Sequence, residues 1–171
     1  MAASPFINMV AGAVVSGAVA SAILGIAFHR YLTRVEQETR SRRTWKEMSV
    51  AELLGPMSIQ LNRTERAFER WSTKNLYLEA KVVGEGNQMI RDLLLTKPHL
   101  IPPELLTDAG RLIEHYDVWL EKFAVQRLAE KPDLETAFVF VGPDGNGFPG
   151  DAATRFQDAF KGYWSELYGE G

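Results

Sequence analysis

Cysteine is the one residue whose chemistry this 171-residue chain lacks altogether. Without a thiol, the chain forms no disulfide, holds no metal through a thiolate and offers no cysteine nucleophile. The absence does not by itself indicate a compartment. It does remove three whole classes of site from consideration.

Signatures of familiar catalytic and metal sites are also missing. The three histidines, His29, His99 and His115, are scattered, and none belongs to a Glu-x-x-His or His-Glu-x-x-His pattern. No Gly-x-Ser-x-Gly nucleophile signature occurs. The sequence therefore predicts no catalytic residue, no metal site and no cofactor. A pH-sensitive or acid–base role for His115 beside Glu114 or Asp117 is the alternative to a structural histidine with a local hydrogen bond.

Charge and proline are both lacking from Phe6 to Phe28, over about 23 positions. A helix of that length rises about 34 Å, enough to cross a hydrocarbon core about 30 Å thick. Uncharged apolar runs of this length are typical of lipid-spanning helices. The stretch predicts a single transmembrane helix, with residues 1–28 as the membrane anchor.

The charges around this span predict its orientation. No Lys or Arg precedes Phe6, so the basic segment of a cleaved signal peptide is missing and we expect a retained anchor. Positive charge close behind a span stays on the cytoplasmic side, which places the N-terminus outside and the following domain in the cytoplasm. The alternative is a cleaved or inverted signal. The residues predicted to contact anionic lipid are Arg30, Arg34, Arg40, Arg42 and Arg43.

Small residues recur every fourth position within the span. Ala13, Gly17, Ser21 and Gly25 form one stripe, and a second lies beside it. Small side chains let two helix backbones approach closely in lipid, which favours packing on a partner helix or a homo-oligomer. The alternative is that the spacing follows from composition alone.

The remainder of the chain has the composition of one globular domain. Residues 48–171 carry thirteen basic and nineteen acidic side chains, and this acidic balance argues against nucleic acid as a partner. Apolar residues at helical spacing predict helices over about 57–71, 76–96, 104–130 and 151–168, with Asp151 as the N-cap of the last one. A capping-box pattern at Ser49 predicts that a helix already begins there. Gly55-Pro56 should kink or restart a helix, and Gly84 and Gly86 should mark a close helix crossing or a bend.

We therefore predict an all-α fold, a single N-terminal transmembrane helix followed by a cytoplasmic antiparallel bundle of about four helices. Residues 29–48 form a basic juxtamembrane helical stalk, in which Glu36 should pair with Arg40 and Glu38 with Arg42. Residues 49–171 form the bundle. A short apolar run over 137–141 is expected to be extended and to lie against it.

The loop over 142–150 is rich in glycine and proline and joins the last two helices. It matches a calcium-binding loop at only two positions, because Phe148 and Pro149 stand where a ligand and a glycine are needed. The loop is predicted to contact a partner through Asp144, Asn146 and Phe148.

These features predict a non-enzymatic, membrane-anchored interaction or regulatory subunit. Its partners would be the lipid bilayer and another membrane or cytoplasmic protein. One alternative is an oligomeric effector that perturbs the membrane through its small-residue span. The other is a membrane-tethered enzyme with an unrecognised site, for which the sequence displays no converging set of polar residues.

Overall fold

The computed structural model describes residues 28–70, 75–136, 138 and 147–169. Every regular element in these ranges is helical, and none is a strand. The chain divides into two compact units, Met1–Thr44 and Trp45–Gly171. The second unit contains the bundle.

Helix α1 covers residues 28–49, and the boundary between the two units falls inside it. Arg40 pairs with Glu36 at 2.5 Å as predicted, but Glu38 pairs with Arg34 at 3.1 Å rather than with Arg42. Glu38 lies one turn from both arginines, so sequence spacing alone does not select between them. All five arginines predicted to contact lipid lie on α1 and are exposed: Arg30, Arg34, Arg40, Arg42 and Arg43.

No helix among the described residues is both long and apolar enough to cross a membrane. The predicted span lies outside the described residues except for Phe28. The transmembrane helix therefore stays a prediction. The same holds for its four small packing residues, Ala13, Gly17, Ser21 and Gly25.

A π-helical turn, Val50–Leu54, carries the chain from α1 into the next helix. Pro56 has no N–H to donate, and in an α-helix its ring would collide with the carbonyl four residues back. The wider turn accommodates the proline, and the N–H of Gly55 donates to the Val50 carbonyl instead. A Cβ on Gly55 would lie 2.8 Å from that oxygen, so only glycine fits here.

The prediction that a helix begins at Ser49 is wrong. Ser49 has helical backbone angles, is fully buried and donates its hydroxyl to the Leu100 carbonyl at 2.8 Å. One turn earlier, the indole N–H of Trp45 donates to the carbonyl of His99, also at 2.8 Å. These two bonds fix the start of the second unit to the turn Pro98–Leu100. Ser49 is thus engaged across the fold, where a capping box would have engaged it locally.

Four helices form the bundle. α2 contacts α3, α3 contacts α4, α4 contacts α5 and α5 returns to α2, so the four close around a shared interior. This arrangement confirms an all-α fold with a bundle of about four helices. A π-helical segment, Leu78–Gly84, precedes α3, and two short 3₁₀ turns, Pro98–Leu100 and Pro103–Leu105, connect α3 to α4. The four helices are α2 (Gly55–Glu69), α3 (Glu85–Thr96), α4 (Leu106–Arg127) and α5 (Gly150–Tyr168).

The bundle interior has two apolar clusters. The larger one is built from the stripes predicted for each helix, with Leu53, Ile90, Leu112 and Phe156 among its members. The smaller one consists of Ala67, Val83, Trp119, Phe123 and Phe138. Phe138 is thus packed against the bundle, as expected. The other residues of the apolar run over 137–141 lie outside the described residues, so the extended conformation of that run stays a prediction.

Gly86 is where α3 comes closest to α2. A Cβ added to Gly86 would lie 2.7 Å from Cγ2 of Thr64, closer than two carbon atoms can approach. Thr64 cannot rotate away freely, because its hydroxyl donates to the Gln60 and Leu61 carbonyls at 3.0 Å. The predicted close crossing is confirmed at this residue.

Replacing this glycine should therefore cost stability. We expect Gly86→Ala to force the two helices apart, with an overpacking cost of about 1–3 kcal/mol. Gly110→Ala is the matched control, because a Cβ on Gly110 of α4 has nothing within 4 Å. It should gain about 0.5–1 kcal/mol of helix propensity. Urea denaturation of both variants measures the difference, and equal stabilities would contradict the close crossing.

Candidate functional site

A cavity of about 700 Å³ lies between the bundle helices and is lined by members of both apolar clusters. It opens to the surface, where its lining residues Glu65, Phe68 and Phe148 are exposed. Side chains from all four bundle helices line it, together with Phe138 and Phe148 from the connection between α4 and α5. Its volume falls within the range of small-molecule sites, about 300–1,000 Å³. The lining residues are Leu61, Thr64, Glu65, Phe68, Asn87, His115, Tyr116, Trp119, Phe138, Phe148, Gly150, Ala153, Thr154 and Gln157.

Aromatic rings form much of the wall. Trp119 stacks on Phe123 with ring centroids 5.0 Å apart, and the edge of Phe138 meets Trp119 at 5.1 Å. On the other side, Phe148 lies edge-on to His115 at 5.3 Å. Rings packed against one another in this way are rigid, so they define a flat-sided space.

Two polar groups in this apolar wall have no hydrogen-bond partner among the described residues. They are the amide of Asn87, which is only 4% exposed, and the hydroxyl of Tyr116, which is only 2% exposed. Both side chains line the cavity. Burial raises the pKa of Tyr116, so its phenol is neutral at physiological pH. Buried polar groups normally have partners, and their absence marks this wall as unusual.

A buried ion pair holds Phe138 in this wall. Arg127, at the end of α4, donates from Nε to Oε2 of Glu79 at 2.7 Å, and both side chains are almost completely buried. The same guanidinium donates to the carbonyls of Asp133 and Thr136. Arg127 thereby fixes the turn just before Phe138, and its guanidinium carbon lies 5.9 Å from the centre of the Phe138 ring.

A second charged network fixes α5 against α4. Arg111 binds both carboxylate oxygens of Asp151, at 2.7 and 2.8 Å, and Arg155 binds the buried Asp108 at 2.6 Å. The Arg111 guanidinium lowers the pKa of Asp151 to about 2. The predicted N-cap role of Asp151 is wrong, because α5 begins at Gly150 and Asp151 binds Arg111 from its first turn. The network sets the position of the α5 residues that line the cavity.

The cavity offers little to a charged ligand. Among the described lining residues there is no lysine or arginine, and the acidic side chain there, Glu65, is exposed. Thr64 and Thr154 both donate their hydroxyls to carbonyls of their own helices, and the Gln157 amide donates to Asn62. The Asn87 amide and the Tyr116 hydroxyl form no hydrogen bond with a described residue, so both keep their full hydrogen-bonding capacity for a ligand.

A separate feature lies on the surface of α5, where aromatic residues recur every fourth position. Phe156 is buried and Phe160 half-buried, but Trp164 and Tyr168 are 49% and 57% exposed. The Trp164 and Tyr168 rings lie 4.7 Å apart, and Phe160 lies 5.8 Å from Trp164. We call Trp164 and Tyr168 the aromatic pair of α5.

Of the predicted site residues, the structure describes the five arginines and Phe148. The five arginines lie on α1 in the first unit. Phe148 lies at the cavity, next to His115, and is half exposed. Asp144 and Asn146, predicted to share a partner-contact loop with Phe148, lie outside the described residues. His115 is buried in the cavity wall, and its neighbour there is an aromatic ring.

Three polar residues of this region were not predicted from the sequence: Asn87, Glu79 and Arg127. Each of them stands at a position where the helix pattern calls for an apolar residue. Asn87 continues the spacing of Val83, Ile90 and Leu94, so a polar side chain stands in an apolar stripe. Glu79 and Arg127 likewise lie one turn beyond Val83 and Phe123, members of the smaller cluster. A polar residue at an apolar position of a helix is the pattern that points to them.

Among the described residues, no group of three or more acidic or histidine side chains is placed to hold a metal ion. Comparison of the chain with protein-family models, curated proteins and solved structures finds no match.

The buried ion pair should contribute strongly to stability. Glu79→Gln removes the carboxylate and leaves the Arg127 charge buried without its counter-ion, which we expect to cost about 3 kcal/mol or more. Glu85→Gln is the control, since its pair with Lys81 is more than half exposed and its loss should change the free energy of unfolding little. Urea denaturation followed by circular dichroism compares them. A similar small cost for both would show that the Glu79–Arg127 pair is not buried.

Proposed function

We propose that this chain is a single-pass membrane-anchored interaction subunit, whose helical bundle is antiparallel, lies in the cytoplasm and binds another protein. In this proposal residues 6–28 cross the membrane with the N-terminus outside. The exposed arginines of α1 support that orientation, because basic residues that follow a span are retained on the cytoplasmic side. They also suit the anionic inner leaflet.

The observation that carries the interaction role is the aromatic pair of α5. Trp164 and Tyr168 contact one another on an exposed helix face, and both residue types are enriched at the centres of protein interfaces. Trp and Tyr also dominate the residues whose truncation most weakens binding. A monomeric helix gains nothing from presenting two large rings to water, so their exposure favours a partner that covers them.

The surroundings of the pair resemble an interface rim. Lys46 forms an ion pair with Glu166 and lies 4.9 Å from the centre of the Tyr163 ring. Tyr163 in turn meets the edge of Trp45 at 6.1 Å. Apolar rings bordered by paired charges are the usual composition of a protein-binding surface.

The charge of the domain indicates the chemistry of the partner. Residues 48–171 have six more acidic than basic side chains. An acidic domain attracts basic surfaces over long range and repels acidic ones. We therefore propose a partner protein that presents a basic face with apolar pockets for Trp164 and Tyr168. The anchor would raise the local concentration of the bundle near such a partner at the membrane.

The orientation can be measured directly, because the chain has no cysteine to interfere. A membrane-impermeant maleimide applied to intact cells should label Ser4→Cys, which precedes the span. It should label Lys161→Cys only after the membrane is opened, since Lys161 is exposed on α5. The unmodified chain, without a thiol, is the blank. Labelling of Lys161→Cys in intact cells, with Ser4→Cys protected, would show the opposite orientation.

Partner binding should depend on the aromatic pair. Gentle detergent extraction of the full chain is expected to yield a hetero-complex of defined mass. Trp164→Ala with Tyr168→Ala should weaken that complex by about 30-fold or more, as expected from losing at least about 2 kcal/mol at an interface centre. Binding of the purified partner to both forms, measured by titration, gives the ratio.

Tyr77→Ala is the matched control, because Tyr77 is an exposed tyrosine on a different part of the bundle. It should leave the complex intact. Full binding by the Trp164 and Tyr168 double variant would contradict the proposed surface. Recovery of a homo-oligomer alone would contradict the partner, and the span would then be tested through membrane leakage by Gly17→Leu with Gly25→Leu.

A further inference from the structure

We infer that the bundle also binds a small molecule, an uncharged aromatic compound that carries a hydrogen-bond donor and an acceptor side by side, as a carboxamide does. The site is the cavity lined by all four bundle helices. The inference goes beyond the proposed partner surface and does not depend on it, because the aromatic pair of α5 is not part of the cavity lining.

The aromatic part of the ligand follows from the walls. Phe68, Tyr116, Trp119, Phe138 and Phe148 all line the cavity. The Trp119 and Phe138 rings are held by each other and by Phe123, so this side presents fixed aromatic surfaces. Pockets of this size with mostly apolar and aromatic walls are the usual form of small-molecule sites. A planar ring system in the cavity would make dispersion contacts with these aromatic side chains, which otherwise face empty space or water.

The hydrogen-bonding edge of the ligand follows from Asn87. Its side-chain amide has two N–H donors and a carbonyl acceptor, is 96% buried and is bonded to none of the described residues. Leaving such a group unpaired in an apolar wall costs free energy, so it is expected to have a partner in the functional state. A carboxamide on the ligand matches the Asn87 amide. Its N–H can donate to the Asn87 side-chain oxygen, and its oxygen can accept from the Asn87 side-chain N–H. The Tyr116 hydroxyl can donate or accept one further hydrogen bond to the ligand.

The neutrality of the ligand follows from what the lining residues lack. An anion would enter a space whose described lining has no lysine or arginine and has the Glu65 carboxylate near it. A cation would have the Glu65 carboxylate to balance it, and that carboxylate is exposed and screened by water. Either charge would lose hydration without a lysine, an arginine or a buried carboxylate as its counter-ion among the described lining residues.

Four naphthalene probes of nearly equal shape test the hydrogen-bonding edge and the neutrality of the ligand by comparison, and saturable binding of their common ring tests the aromatic part. They are 2-naphthamide, the 2-naphthoate anion, the 2-naphthamidinium cation and 2-methylnaphthalene. Equilibrium dialysis against the full chain in lipid nanodiscs, with empty nanodiscs as the blank, measures the bound probe per chain. We expect saturable binding of one 2-naphthamide per chain, at least about 10-fold tighter than the other three. Absence of saturable binding above the blank would overturn the inference, as would tighter binding of either charged probe.

Two variants assign the hydrogen bonds. Asn87→Leu keeps the approximate volume but removes the amide, so 2-naphthamide should lose its 10-fold advantage while 2-methylnaphthalene still binds. Tyr116→Phe removes only a hydroxyl, should fold normally and should weaken 2-naphthamide by a few-fold. Gln157→Leu is the control, since Gln157 lines the same cavity but is bonded to Asn62 at 3.4 Å. Retention of the amide preference by Asn87→Leu and Tyr116→Phe together would overturn the inference.

Discussion

The fully buried ion pair between Glu79 and Arg127 is the contact on which the candidate site depends. It joins the segment before α3 to the last turn of α4, across 48 residues of sequence. Arg127 also binds the carbonyls of Asp133 and Thr136, so one guanidinium donates to a carboxylate oxygen and to two backbone groups. Burying two charges is costly, and the cost remains partly unmet here because Oε1 of Glu79 is buried without a hydrogen-bond partner among the described residues. The turn held by Arg127 directly precedes Phe138, whose ring packs against Trp119 and Phe123.

Placement of Phe138 determines the shape of the cavity. Without that ring, the wall formed by Trp119 would be open on the side of the connection between α4 and α5. On the opposite side, Arg111 and Arg155 hold Asp108 and Asp151, which fixes the start of α5 and with it Ala153. Charged networks at two places therefore shape a space that is itself nearly free of charge. Both charged networks lie outside the described lining of the cavity, in which Asn87 and Tyr116 have no hydrogen-bond partner among the described residues.

Helix periodicity predicted the elements well and their tertiary polar contacts poorly. The stripes over α3, α4 and α5 follow from local spacing, because one helix face must be apolar wherever helices pack. Ser49 and Asp151 matched local capping patterns, yet each binds a group more than 35 residues away in sequence. Asn87 was overlooked because an amide in an apolar stripe acquires meaning only when the neighbouring helices show that nothing pairs with it. The cavity follows from the packing of four helices, which no single stripe contains.

The Asn87 amide also shows a conflict between the stability of the bundle and its proposed binding role. A leucine at position 87 would continue the stripe of Val83, Ile90 and Leu94 and would remove the cost of a buried, unsatisfied group. Stability alone therefore favours an apolar residue at this site. A bundle that keeps asparagine there sacrifices stability, as functional sites commonly do. Trp164 and Tyr168 present the same conflict on the surface, since two exposed rings favour association over solubility. Both features depart from the apolar-inside, polar-outside pattern, and the small molecule and the partner protein proposed above would each cover one of them.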